Sequence, residues 1–214
     1  MSEPIWVIGA GGHAKVVIDL LRVSGWSTIV GILDDTFPDA MPVLGVPVQG
    51  PISQESIGRF GIERAILAIG SNRARSEISQ RLGQSLSWPT LIHPTAYVAG
   101  GVELGRGTVV MAGAIVQPDS VIGAHAIINT ASSIDHDCAI GDFVHIAPGV
   151  HLAGEVRVEE GAFLGIGSCV IPRRTIGAWA VLGAGSAAVS DVPPGVIAKG
   201  LPARWNRSSN NDSR

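Results

Sequence analysis

Two periods that cannot belong to one architecture predict a two-part fold: a small parallel α/β unit over residues 1–90, then a parallel β-helix over 91–190. The first part alternates short apolar strands with a helical pattern. The second carries an aliphatic residue at every sixth position, sixteen times without interruption. Residues 191–214 leave the repeat and end in a polar tail.

In the first part, Ile5-Trp6-Val7-Ile8 reads as a buried strand and runs into the glycine turn Gly9-Ala10-Gly11-Gly12-His13. Residues 14–23 then place Val17, Leu20 and Leu21 at helical spacing. Residues 29–33 form a second strand ending at Asp34-Asp35, and residues 64–69 a third, ending at Gly70. Residues 73–82 complete the unit as another helix. The order β-α-β followed by a further strand and helix is that of a small Rossmann-like parallel domain.

In the second part the aliphatic series runs from Ile92 through Val98, Leu104, Val110, Val116 and Ile122 to Leu182. The fourth residue after each is usually small, as at Thr108, Ala114, Ser120, Ala126, Ser132 and Cys138, and glycine often follows directly. A fixed short period signals a solenoid. Three hexapeptides make one triangular coil of eighteen residues, so residue n stacks on n−18 and n+18 at ~4.8 Å.

Composition narrows function. The chain has 214 residues, 46% hydrophobic and 15% charged, with a formal charge of −3. This excludes a disordered chain and gives no basis for a nucleic-acid or anionic-membrane partner. Two cysteines, Cys138 and Cys169, supply neither a disulfide framework nor a four-ligand zinc site, and both read as core thiols. With no basic leader and no run of ~18 apolar residues, the expectation is a cytoplasmic protein.

Several positions stand out chemically. The turn Gly9-x-Gly11-Gly12 between strand and helix can present N–H groups to a diphosphate, although Ala14 replaces the third glycine of the dinucleotide pattern. His136 has Pro118 and Gly154 as its coil neighbours, which leaves open space on both sides of its ring. The next column holds Asp119, Asp137, Glu155 and Arg173. His145 stacks between Ile127 and Phe163, while His93 and His125 read as solvated. Arg173, Arg174, Lys199, Arg204 and Arg207 suggest a basic cluster suited to phosphate groups.

From the Gly9–Lys15 turn to the Gly200–Arg204 exit, with the segments 128–141 and 163–169 most specific, the chain resembles bacterial acetyltransferases of nucleotide-linked 4-amino sugars, the bacillosamine and perosamine type. Sialic acid O-acetyltransferases share the plan. The resemblance implies a left-handed β-helix, a homotrimer, acetyl-CoA as cosubstrate, a nucleotide-sugar as partner and no metal. It implies His136 as catalytic base with Asp137 orienting it. Contacts to acetyl-CoA are implied for His145, Gly154, Ile166 and Ala184, with Arg173 and Lys199 beside them. The nucleotide-sugar would lie against Gly12, His13, Ala14, Asp34, Asp35 and Gly70. Whether Asp137 or Asp119 orients His136 depends on a corner falling at that point, because neighbouring residues on a strand face opposite ways. A γ-type carbonic anhydrase would need three converging histidines, and the spacings 136–145 and 145–151 do not match that pattern. A non-catalytic nucleotide-sugar-binding scaffold is the other rival.

Overall fold

The computed structural model describes residues 3–83 and 85–205; the polar tail, with Arg207, lies outside the described residues. The N-terminal unit is a four-stranded parallel sheet in the order β3-β2-β1-β4, formed by β1 (Ile5–Ile8), β2 (Ile29–Leu33), β3 (Val48–Gly50) and β4 (Ala65–Leu67). Helix α1 (Gly12–Val23) joins β1 to β2, α2 (Gln54–Phe60) precedes β4, and α3 (Asn72–Leu82) follows it. The sequence pattern missed β3 and α2. Both are too short for a period to register, and α2 is marked chiefly by its cap, where Ser53 accepts from the Ser56 N–H, and by the left-handed Gly61 that ends it.

The parallel β-helix begins at Leu91. Each coil contributes one two-residue strand to each of three parallel sheets of seven, six and five strands, here called the first, second and third faces. Pairing follows the eighteen-residue register, as in Ile127↔His145↔Phe163 and Ser133↔His151↔Cys169. The aliphatic residues from Val110 to Leu182 point inward and are buried; Val98 and Leu104 are half-buried. Ile92 is 40% exposed, a departure from the expected inward series, because the first coil has no coil beneath it. The small polar side chains of the repeat cap the coil carbonyls: Thr108 Oγ1 donates to Gly123 O at 2.7 Å and Ser120 Oγ to Asp135 O at 2.9 Å.

A second period was not legible in the residue types. From 101 to 185 every sixth residue has positive φ: seven glycines and eight others, Asp119, His125, Ala131, Asp137, Phe143, Glu155, Arg173 and Trp179. Each marks a corner. Glycine at the preceding kind of site has another cause. A Cβ on Gly141 would meet the Glu160 backbone N at 2.7 Å, so the coils pack too closely there for a side chain. His125, expected to be solvated, is instead buried, its ring stacked on Phe143 at 5.4 Å and edge-on to Trp88 at 5.1 Å. Cys169 is also corrected: it precedes the inward Val170 and therefore faces out, exposed, while Cys138 is buried.

The two parts share one core. Ile5, Val7, Val17, Ile18 and Leu21 pack with Leu91, Val109 and Ile127, the outward residues of the first face. The N-terminal unit thus covers the first face, and the corner between the second and third faces lies on the opposite side of the triangle. Among the described residues no helix is long and apolar enough to cross a membrane.

The close coil approach at Gly141 makes a thermal-melting prediction. Gly141→Ala should destabilise by about 1–3 kcal/mol, lowering Tm by on the order of 5 °C. Gly185→Asn, at a left-handed corner with open space around it, should be nearly neutral. The reverse ranking would refute the packing account.

Candidate active site

At the carboxyl ends of β1, β2 and β4 lies a cleft of about 430 Å³, lined by Gly9, Gly11, Gly12, His13, Asp34, Asp35, Ile52 and Ala68–Gly70, with Ile78. Its position at the strand-order switch is the usual ligand site of an open parallel sheet. Gly9 has φ +107° and a Cβ there would meet Ile69 at 2.7 Å, so the turn requires glycine. Gly11 caps α1, whose free N–H groups face the cleft. Ala14, expected to touch the substrate, is fully buried on α1 and forms core beneath the turn.

The acidic pair is built into the cleft wall. Asp34 Oδ2 accepts from the Ala10 N–H at 2.6 Å, and Oδ1 accepts from the Thr36 N–H at 2.9 Å and from the Thr36 hydroxyl. Burial opposes ionisation of Asp34, but these bonds outweigh it and lower its pKa. Asp35 accepts from the Ile52 N–H at 3.0 Å and pairs with Arg81 at 2.8 Å. Asp34 therefore latches the glycine turn, and any ligand contact comes in addition to that work.

His13 sits at the junction with the β-helix, its ring 6.4 Å from that of His145 on the first face. His145 is packed edge-on against Phe163 at 5.1 Å, and its Nε2 lies 3.1 Å from Asn129 Nδ2. Asn129 Oδ1 accepts from the Thr130 N–H at 2.8 Å, which turns the amide N–H₂ toward His145. Burial, then the Arg75 charge, holds His13 near a pKa of about 4; the same causes with His13 hold His145 near about 3. Both are neutral at physiological pH, and His145 carries its proton on Nδ1.

Arg75 and Asn72, which the sequence reading passed over, tie α3 to the coils. Arg75 is 1% exposed. Its Nε donates to His125 O at 2.8 Å, Nη1 to Ile69 O at 3.0 Å and Gly70 O at 3.3 Å, and Nη2 to Phe143 O at 2.7 Å and Asn72 Oδ1 at 3.1 Å. Asn72 Nδ2 donates to Gly161 O and Ala162 O at 3.1 and 3.0 Å. The available signal was that α3 has few apolar residues, so a polar face at 72, 75 and 76 must carry its packing.

His136 and Asp137 lie at the corner between the second and third faces. Asp137 has φ +59°, and this corner lets adjacent side chains meet: His136 Nδ1 is 2.7 Å from Asp137 Oδ2. Of the two carboxylates, Asp137 is the one hydrogen-bonded to the ring; Asp119 reaches toward Gly101 instead. The Asp137 hydrogen bond, with the charges of Asp135 and Glu155, raises the His136 pKa above its ordinary 6.5 against an opposing desolvation. The His136 side chain is 54% exposed. A Cβ on Gly154 would lie 2.6 Å from His136 Nε2 and Cε1, so the ring occupies the space that the glycine leaves.

The remaining positions divide between corners. Arg173 pairs with Glu155 at 2.9 Å and Arg174 reaches Asp191 at 3.8 Å, both near the His136 corner. Ile166 and Ala184 are exposed at the corner between the first and second faces, where Lys199 stacks on Gly183. The expected single basic cluster is therefore split, because stacking by eighteen sends Arg173 and Lys199 to different corners. Buried Cys138 has its thiol pKa raised to about 11 by desolvation.

A parallel β-helix with a corner His–Asp pair, joined to a glycine-turn nucleotide-type cleft, defines a hexapeptide-repeat acyltransferase. The PglD N-terminal domain family matches residues 4–82. GDP-perosamine N-acetyltransferase of Escherichia coli is 32% identical over 153 residues, 67% of each chain. UDP-N-acetylbacillosamine N-acetyltransferase of Bacillus subtilis is 41% identical over 108 residues, 50% of each. Among solved structures, an asparagine-for-histidine mutant of perosamine N-acetyltransferase from Caulobacter crescentus, in complex with CoA and GDP-perosamine, superposes with a TM-score of 0.90 at 43% identity, covering 96% of this chain and 97% of that one. The acetyltransferase domain of PglB from Neisseria gonorrhoeae in complex with acetyl coenzyme A matches at 0.85 and 37%, covering 96% and 100%. The chain belongs to the nucleotide-sugar N-acetyltransferase family.

Three histidines held neutral in the fold predict acid sensitivity. His13 and His125 have pKa values lowered to about 4 and His145 to about 3, each from 6.5. Between pH 6.5 and about 4 the unfolded chain binds protons that the folded chain refuses, so stability falls as pH falls. His136, with a raised pKa, adds a stabilisation that is constant through that window and is lost only as pH rises above 6.5. Urea denaturation should show a slope approaching three protons near pH 5, and His125→Gln should remove about one. A flat profile from pH 7 to 5 would contradict the neutral assignments.

Proposed function

We propose that this protein transfers the acetyl group of acetyl-CoA to the amino group of a nucleotide-linked amino sugar, with His136 as general base. The observation that carries the reading is the His136–Asp137 hydrogen bond. It places the imidazole proton on Nδ1 and leaves the Nε2 lone pair at the exposed edge over Gly154. The Caulobacter relative that holds CoA and GDP-perosamine, and the Neisseria domain that holds acetyl coenzyme A, support both ligands.

The amine attacks the thioester carbonyl directly. As the C–N bond forms, the nitrogen becomes acidic and its proton passes to His136 Nε2; Asp137 supports the imidazolium that results. Collapse of the tetrahedral intermediate breaks the C–S bond, and the imidazolium returns the proton to the departing thiolate of CoA. Coil hydrogen bonds use the N–H groups of Ala153 and Glu155, which leaves the Gly154 N–H to stabilise the developing oxyanion. No acyl-enzyme is required: Cys138 is buried with a raised pKa, and Cys169 lies on the second face two coils from Ser133, outside the His136–Asp137 corner.

The nucleotide-sugar binds in the cleft of Gly12, His13, Asp34, Asp35 and Gly70, with its diphosphate at the α1 N-terminus. That cleft belongs to the unit covering the first face, opposite the His136 corner. One subunit therefore cannot bring its own base to its own cleft, and the working site forms between subunits of a homotrimer, a closed cyclic assembly. Along the groove at the His136 corner, Gly154 and Arg173 would meet acetyl-CoA, with Ile166, Ala184 and Lys199 contributed from the other corner.

A thiol-release assay with acetyl-CoA against UDP-, GDP- and dTDP-linked amino sugars tests the reaction; release with none of them would overturn it. His136→Ala should cut kcat by about 10²–10⁴ with little change in acetyl-CoA affinity. The acid limb of kcat/KM should lie above pH 6.5, since the base works deprotonated and Asp137 raises its pKa. Asp137→Asn should move that limb to lower pH while reducing kcat. Gly154→Ala should mimic the loss of His136, because the added methyl takes the ring's space.

A further inference from the structure

Arg75 is the largest side chain with almost no exposure, and no ion pair among the described residues involves it. A buried guanidinium without a carboxylate is costly unless every donor is satisfied. Here the charge is met by carbonyl dipoles and one amide oxygen. Burial lowers its pKa only to about 10, so it stays protonated. Leu or Met in its place would avoid burying a charge but would take this donor from the His125 and Phe143 carbonyls. Its presence points to the role that carbonyl-to-carbonyl bridging serves.

The acceptors identify that role. Ile69 O and Gly70 O belong to the lip of the nucleotide cleft, while His125 O and Phe143 O belong to two successive coils at one corner of the β-helix. Val144 O, directly before His145, lies 3.4 Å from Nη2. Asn72 extends the same bridge one coil further, to Gly161 and Ala162. Two stacked coils are thus held to one lip of the cleft through a single planar fork, and a third through Asn72 beside it. The apolar contact of α1 with the first face lacks this directionality, since hydrophobic packing is non-directional.

We propose that Arg75 is a positioning residue for the acceptor: its guanidinium, fixed across the joint between the N-terminal unit and the β-helix, sets the Gly70 lip and His13 against His145. The nucleotide-sugar then enters a cleft whose geometry is set before it binds. This rests on the nucleotide-sugar reading of the cleft given above. Lysine cannot replace the fork, because an ammonium has three donors in a tetrahedral array and cannot span both sets of carbonyls.

The test is Arg75→Lys and, as a milder cut that leaves the buried charge in place, Asn72→Ala. In the thiol-release assay, KM for the nucleotide-sugar should rise at least tenfold in Arg75→Lys and several-fold in Asn72→Ala, while KM for acetyl-CoA stays within twofold. A purely structural role would instead lower kcat with the folded fraction and leave both KM values alone; that result overturns the proposal. A readout independent of turnover separates it from the functional reading. The groups facing His13 and His145 are Arg75, each other, Asn129 and the Gly70 carbonyl. In Arg75→Met, NMR titration should show both imidazoles protonating at higher pH than in the parent protein. Titration unchanged from the parent would overturn the proposal even if the enzyme is inactive on every sugar tried.

Discussion

A left-handed backbone conformation recurring at every sixth residue from Gly101 to Gly185 is the constraint on which the rest of the molecule depends. It turns the chain at each corner and keeps the register at eighteen. That register puts His145 over Ile127, and Gly154 beside His136. More than half of these corners are not glycine, and each such residue costs of order 1 kcal/mol in backbone strain. The strain is offset by inward aliphatic packing and by parallel ladders on three faces. A one-residue slip would expose the aliphatic series and take His136 away from Gly154.

One of those corners brings two ionisable side chains together. In an extended strand His136 and Asp137 would face opposite sides; the positive φ of Asp137 turns the carboxylate back to Nδ1. The same column holds Asp119, Glu155 and Arg173, and Arg173 takes up the Glu155 charge. The corner thus gathers carboxylates near a histidine without leaving all of them unpaired, which favours a basic imidazole over a neutral one.

The opposite environment prevails at the joint between the two parts. There the imidazoles of His125 and His145 are buried and that of His13 is half-buried, and the Arg75 guanidinium, with no ion pair among the described residues, lies nearby. Desolvation and Arg75 act in the same direction and keep all three neutral. Two histidine populations therefore coexist in one chain: an exposed one suited to accept a proton, and buried ones suited to hold fixed hydrogen-bond roles. The split follows from the triangle itself, since one face is covered by the N-terminal unit and the opposite corner is open.

The sequence by itself determined the two architectures, because period is a local property: alternation with glycine turns for the sheet, an aliphatic residue every six for the β-helix. It also placed His136 between small neighbours, since stacking by eighteen is arithmetic on the chain. The family resemblance rested on the same segments. What period could not carry, the tertiary structure decided. Whether 136–137 is a strand or a corner depends on φ, which eight non-glycine corners conceal. The burial of His125 depends on Trp88 and Phe143, distant in sequence and brought together only by coil stacking and docking. The role of Arg75 depends on carbonyls from both parts, and a carbonyl is the same at every residue, so no pattern of side chains could have announced it.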